Sequence, residues 1–365
     1  MEEFQTSQTL AAFGVSVLLI GFGVGPPVHA PLSETFGRKP IYVVGSTVST
    51  LTQIPCALSK NISMFIGFRF LQGFFGSASL ANGGGTISDM YDALERTRVV
   101  GWYILGPLTG MKWLRCGLII GPAIGPVIGG FMTESLSWRW TFWLMLILSS
   151  INTTTCFIFL HETYAPVLLS RKAAKLQKET GQPHRPAIFD PTSLPRRLYR
   201  AIQRPIRILQ QPLIFAMAVY IAFIYGTLFL LFTTFPQVFE HNYGFSPGIT
   251  GLTYLGVGLG FMIAILFGIP QIDKQYRRLT AKNNGVPMPE FRLPVANVGA
   301  VCIPISLLWY GWAVQAHTFY LVPIIGTVSL ASGRFASSIQ LKTSISMRLR
   351  DMRRPPLPQG RCSGL

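Results

Sequence analysis

With 365 residues, only 12% of them charged, and a mean hydropathy of +0.41, the chain has too little polar surface to cover a water-facing globule of its length. Its formal net charge of +17 would suit a nucleic-acid binder, but the basic residues flank apolar runs, where they set membrane topology and meet anionic headgroups instead. Nucleic acid is therefore excluded as a partner, and the lipid bilayer takes its place.

Nine apolar segments follow in order: 9–31, 41–58, 64–88, 99–132, 138–160, 212–236, 248–270, 294–314 and 318–332. Most approach the roughly 20 residues that a bilayer core of about 30 Å requires. With the connection at 33–40 in the cytoplasm, alternating connections on that side hold 26 of the 31 Lys and Arg, while the far side holds Lys60 and Arg139. That asymmetry predicts an all-α, multi-pass membrane protein and its orientation. The first span would then run inward from an acidic, Lys/Arg-free N-terminus, so a preceding helix is expected. Beyond Ser332 the chain is basic and aperiodic, and 333–365 reads as a disordered tail. The fourth segment is too long for one span, and Lys112 and Arg115 interrupt it. Cys56, Cys116, Cys156, Cys302 and Cys362 are scattered singly, so neither a metal site nor a disulfide framework is expected. No cofactor is expected either. All 14 Asp and Glu lie outside the predicted spans, and isolated histidines supply no base pair, which excludes a membrane-embedded enzyme.

Between the first two spans, Ala30-Pro31-Leu32-Ser33-Glu34-Thr35-Phe36-Gly37-Arg38-Lys39-Pro40 makes a very short turn. Gly37 permits the tight backbone, Arg38 and Lys39 anchor at headgroups, and Glu34 is available to pair with them. The third span carries Arg69-Phe70-Leu71-Gln72-Gly73, with a guanidinium inside the membrane that could also snorkel outward. It ends in Asn82-Gly83-Gly84-Gly85-Thr86-Ile87-Ser88-Asp89. Next comes Gly121-Pro122-Ala123-Ile124-Gly125-Pro126-Val127-Ile128-Gly129-Gly130, where Gly121, Gly125 and Gly129 give one smooth face for helix packing and Pro122 and Pro126 bend the helix. Trp138-Arg139-Trp140-Thr141-Phe142-Trp143 is an aromatic belt at the outer interface. Asn61-Ile62-Ser63 fits a glycosylation sequon but abuts the next span.

Taken together these strings resemble the major facilitator superfamily, in its fungal drug:proton antiporter branch. The turn is similar to that superfamily's cytoplasmic signature loop, with Ala30 in place of its leading Gly and Glu34 in place of its Asp. The Arg-x-x-x-Gly spacing at Arg69 is similar to the fourth-helix motif implicated in proton coupling. Gly121 to Gly130 resembles the antiporter motif of drug exporters, which would read continuously from Gly106-Pro107-Leu108-Thr109-Gly110 into Pro122 if 111–121 were removed. Glu162-Thr163-Tyr164-Ala165-Pro166 and Arg171-Lys172-Ala173-Ala174-Lys175-Leu176 resemble the central loop of polyamine and multidrug exporters. The match covers about 9–110 and 122–330, family helices two to ten of twelve.

The resemblance implies an incomplete two-bundle fold of about nine helices. Its domains would be 1–160 (family helices 2–6), a cytoplasmic loop at 161–211 with a basic interfacial helix, 212–332 (family helices 7–10), and the tail. It implies a monomer that exports drugs or polyamine-like organic cations by alternating access, driven by protons, in the plasma membrane or alternatively the vacuolar membrane. Glu34, Gly37, Arg38, Lys39 and Asp89 would form the cytoplasmic gate, with Asp89 meeting Arg38; a plain helix-end charge is the alternative. Arg69 would couple protons. Tyr220, Phe223, Tyr225 and Phe229 offer aromatic faces for cations, and lipid-facing packing explains them equally. His29 reads as a satisfied core histidine rather than a proton relay. With no carboxylate left at midplane, a truncated, non-transporting remnant that is retained and degraded is the competing expectation.

Overall fold

The computed structural model describes residues 7–90, 117–182, 194–283 and 293–333. Every regular element among them is helical, and they divide into two compact units: 1–114 with 132–208, and 115–131 with 209–365. The expectations for the insertion at 111–121 and for Lys112, Arg115 and the tail fall outside the described residues, apart from Gly117–Gly121 and Gly333.

The first unit begins with α1 (Gln8–Phe36), capped by the Ser7 hydroxyl, which accepts from the Leu10 amide. Gly37, at φ 104°, turns the chain directly into α2 (Arg38–Leu51), which continues as a short α3 (Gln53–Ala57). α4 (Ile62–Met90) packs between them. The α1–α4 contact is backbone on backbone: a Cβ at Gly21 would stand 2.5 Å from the Phe70 carbonyl oxygen, and one at Gly73 would strike that of Leu18. Small residues let helices approach this closely where no hydrophobic force drives them together in lipid. Asn61 of the sequon caps α4, its Oδ1 accepting from the Met64 amide at 2.8 Å.

α6 (Trp138–Phe159) joins this unit through polar pairs, Thr50 with Thr153 at 3.1 Å and Gln53 Nε2 to Ser149 Oγ at 2.9 Å. Its other face, with Ile147, Ile151 and Ile158, is exposed, as a lipid-facing surface must be. Two cytoplasmic-loop helices follow, α7 (Ala165–Thr180) and α8 (Leu194–Leu209), where one was expected.

In the second unit, α5 (Gly117–Ser135) contributes its stretch up to Phe131, which chain order alone had grouped with the first bundle. α9 (Pro212–Tyr243) ends at Gly244 in a left-handed turn with the Phe245 amide donating to Phe239 O, and the Ser246 hydroxyl caps α10 (Pro247–Ile263). A π-turn at Ala264–Gly268 links α10 to α11 (Ile269–Lys282). α12 (Leu293–Gln315) and α13 (Leu321–Gly333) complete the unit. Its core is aromatic: Leu231, Phe235 and Phe239 of α9 pack on Tyr254 and Val257 of α10, Tyr310 of α12, and Leu330 and Ala331 of α13. The Tyr254 hydroxyl reaches the Phe232 carbonyl at 2.7 Å, so the buried ring carries no unmet donor.

Among the described residues four helices, Phe13–Phe36, Trp138–Phe159, Pro212–Tyr243 and Pro247–Gly268, are long and apolar enough to cross a bilayer. The first and third run past the predicted span ends, so Glu34 and Glu240 become residues of their last turns.

Candidate functional site

The tight turn between α1 and α2 leaves two kinds of orphaned group, the amides that open α2 and the guanidinium of its first residue. The structure satisfies each with a different carboxylate. Arg38, buried, sends Nε to Asp89 Oδ2 at 3.0 Å and Nη1 to the Ser33 hydroxyl at 2.6 Å. The two partner side chains are only 8% and 18% exposed, which shields the pair from solvent screening. The guanidinium also lies 5.2 Å over the Tyr164 ring and above Gly85, where a Cβ would come within 2.8 Å of Cζ.

The second carboxylate is Glu162, at the end of the helix that follows the belt. Its Oε1 accepts from the Arg38 amide at 2.8 Å and its Oε2 from the Lys39 amide at 3.2 Å, while Oε1 also takes the Thr163 and Tyr164 amides at 3.1 Å. An anion at a helix N-terminus meets both free N–H groups and the positive end of the helix dipole. Gly37 lies against this carboxylate, and a Cβ there would collide with Glu162 Oε2. The glycine is thus required twice, by its positive φ and by this contact. Lys39 Nζ stands 5.7 Å over the Phe157 ring.

One expectation needs correction here. Glu34 pairs with neither Arg38 nor Lys39: it points outward and is exposed, because the α1 helix continues through residue 36 and turns that position away. Glu162 does the anchoring that the turn's own acid was expected to do. Its contribution was missed because 124 positions separate it from Arg38. The available signal was a lone acid followed by Tyr164, directly after a span that returns to the same membrane face.

Arg69 sits on α4 with its guanidinium 5.2 Å from the Phe65 ring and 4.7 Å from the Phe142 ring. Its Nε is buried without a hydrogen-bond partner among the described residues. The residue is clasped by rings and does not snorkel outward. Desolvated contacts of this kind are worth about 2 kcal/mol, less than an isolated buried charge costs. Arg139, on the far side, donates from Nη1 and Nη2 to the carbonyls of Ala57 and Ser59 at 2.8 and 3.0 Å, which ties down the end of α3. His29 is satisfied as expected, its Nε2 2.9 Å from the Phe74 carbonyl.

The glycine-proline string lies on α5, but its close approach is not made by the Gly121, Gly125, Gly129 row. A Cβ at Gly125 or Gly129 would meet nothing within 4 Å. Contact with α10 falls one position round the helix: Gly130 against the Pro247 carbonyl, and Gly251 against that of Pro126. One residue is about 100° of helix, enough to exchange one row for the next. Pro122 lies in the first turns of α5.

The four aromatic candidates on α9 do not share a face. Tyr220 and Phe223 fall on one arc, Tyr225 and Phe229 on the opposite one, as their spacing on a continuous helix dictates. Phe223 is 62% exposed, Tyr225 is exposed, and Phe229 meets Phe232 edge to face. The Tyr220 hydroxyl is buried with no hydrogen-bond partner among the described residues.

These features define a multi-pass, all-helical membrane protein with a carboxylate–guanidinium clasp at one membrane face. The Major Facilitator Superfamily profile matches residues 1–351, and the chain belongs to that superfamily. It is 38% identical over 349 residues to the uncharacterized transporter mfc1 of Schizosaccharomyces pombe, an alignment covering 91% of this chain and 68% of that protein. It is 38% identical to the efflux pump radE of Floropilus chiversii and 42% identical to the MFS-type transporter tndD of Aspergillus flavipes, covering 94% and 92% of this chain and 62% of each relative. The chain thus spans only about two thirds of the length of these relatives. Among solved structures, the partially occluded inward-open xylose transporter XylE of E. coli superposes with a TM-score of 0.62 at 15% identity, over 93% of this chain and 74% of that one. At that identity the likeness speaks for the fold alone.

Proposed function

We propose that this protein exports small organic molecules by proton-coupled alternating access, with drug- or polyamine-like cations as the substrate class. The carrying observation is the clasp of Arg38 with Asp89, Ser33 and Tyr164 over a turn whose amides are held by Glu162. A charged, nearly dry contact at the cytoplasmic end of three helices suits a gate that must hold in one state and open in another. Gly37 and Lys39 shape that gate; Glu34, exposed, acts at its rim. The helices flanking the 161–211 connection would be the two moving halves, α5 would carry the antiporter motif, and Arg69 would couple protons to the motion. Tyr220, Phe223, Tyr225 and Phe229 remain the aromatic contacts proposed for substrate. The efflux-pump name of one relative supports the direction of transport, and the names of the others support transport alone. The plasma membrane is the proposed site of action, and a monomer the functional unit.

The test is retention of a fluorescent organic cation and of spermidine by yeast cells stripped of their own efflux pumps, with and without a protonophore. The proposal expects lower retention with this chain than with empty vector, abolished by the protonophore and by Arg38→Ala. Retention equal to the empty vector, with the protein correctly inserted, overturns it.

A second reading, a chain with the superfamily's fold and no transport, is favoured by one observation. Among the described residues, the acids of the apolar spanning helices, Glu34 and Glu240, sit in end turns, so no carboxylate is placed at midplane there to carry a proton.

A further inference from the structure

The two helices of the cytoplasmic connection differ in a way the export reading does not use. α7 carries Arg171, Lys172, Lys175 and Lys178 together with its own acid, and Lys175 reaches Glu179 at 3.8 Å. α8 contains five arginines and no acid in Leu194–Leu209. At 3.6 residues per turn, positions 196, 197, 200, 204 and 207 fall within an arc of roughly 100°, and 198, 199, 202, 206 and 209 occupy the opposite arc. Among the described residues of that stripe, Tyr199 is 64% and Ile206 56% exposed, and Ile202 and Leu209 are exposed as well. On the polar arc Arg207 Nη2 reaches Gln203 Oε1 at 3.2 Å, one turn away.

We propose that α8 is a binding element for anionic phospholipid, lying in the headgroup layer with its apolar stripe in the acyl boundary and its arginines at the phosphates. Three facts select a membrane over a protein as the occupant. Only Gln210 and Gln211 separate α8 from α9, a helix long and apolar enough to span, so α8 lies within a few ångströms of the bilayer's edge. It stands on the side where 26 of the 31 Lys and Arg collect, the face whose lipids are acidic. Its dimensions also fit: a helix about 10–12 Å across, sunk 5–10 Å at the interface, brings its polar arc to the phosphate layer. Arginine suits this position because its planar fork donates two hydrogen bonds to one phosphate. The helix contains no acid that could pair with its five arginines internally, whereas Lys175 of α7 reaches Glu179 of the same helix. The connection between the bundles would therefore be held to the membrane by lipid charge, and its docking would follow the acidic lipid content of the leaflet.

The experiment is amide hydrogen exchange of residues 194–209 in the full chain, held in nanodiscs of phosphatidylcholine alone or of phosphatidylcholine with phosphatidylserine. Each arginine at the surface adds roughly fivefold to the docked population, so phosphatidylserine should slow exchange by tenfold or more. High salt should reverse the slowing, and so should R200Q/R204Q/R207Q, in which glutamine preserves helix propensity. Ile202→Ser with Ile206→Ser should lose protection in both lipids. Equal exchange in the two lipids overturns the proposal in favour of apolar docking alone. Slowing that persists unchanged at high salt also overturns it, because lipid charge then does not hold the helix. The salt titration uses the unaltered chain, so the test stands even if a variant misfolds. None of these readouts requires transport, so failure of the export reading would leave this one intact.

Discussion

The two units of this protein solve the same problem with opposite means. In the first, helices meet through backbone contacts at Gly21 and Gly73 and through polar pairs such as Gln53 with Ser149, and the Arg38–Asp89 ion pair sits where one helix begins and another ends. In the second, rings do the work: Phe235 lies 4.8 Å from Tyr254 and 5.8 Å from Tyr310, and no ion pair is found within it among the described residues. Directional polar contacts exist in alternative, discrete arrangements and can be exchanged. An aromatic core built on shape cannot be rearranged without opening a cavity. The comparison marks the first unit as the one with switchable parts.

If that contrast is right, the largest stability loss belongs to the second unit. Phe235→Ala, at a side chain with no exposure, should cost about 3–5 kcal/mol and sharply lower the melting temperature in detergent. Arg38→Ala leaves Asp89 without its partner and should cost about 3 kcal/mol at most, yet abolish efflux; equal losses of stability and transport would erase the distinction between the units. Gly251→Val, aimed at the seam where a Cβ would stand 2.6 Å from the Pro126 carbonyl, should cost about 1–3 kcal/mol, while Gly125→Val should cost far less. The pair tests which glycine row makes the contact. Gln53→Leu removes one interhelical hydrogen bond and should cost about 0.6 kcal/mol, close to the average for such bonds in membrane proteins. Smallest of all, Glu34→Gln should change the unfolding free energy by no more than about 0.5 kcal/mol, since the residue is exposed and unpaired among the described residues.

Legibility followed the range of the interaction. The turn at Gly37 was readable because one residue type tolerates its backbone, whereas the end of α9 at Tyr243 lies seven residues beyond the span end read from hydropathy. The pairing of Arg38 with Asp89 came only through resemblance, since nothing local in either residue specifies the other. Glu34 misled because it is near Arg38 in sequence, although helix geometry points it elsewhere. The Gly125 row misled for a related reason: a four-residue repeat shows that a smooth face exists, but the neighbouring helix chose the adjacent one.

By itself the sequence determined that the chain crosses a membrane many times, because hydropathy acts over a few residues at a time. Only the tertiary structure decided that Glu162 holds the amides of α2, that Phe65 and Phe142 clasp Arg69, and that Arg139 closes the end of α3. Each of these joins groups on different helices, and a side chain's partner across a helix interface is set by rotation and depth of packing, which no local pattern encodes.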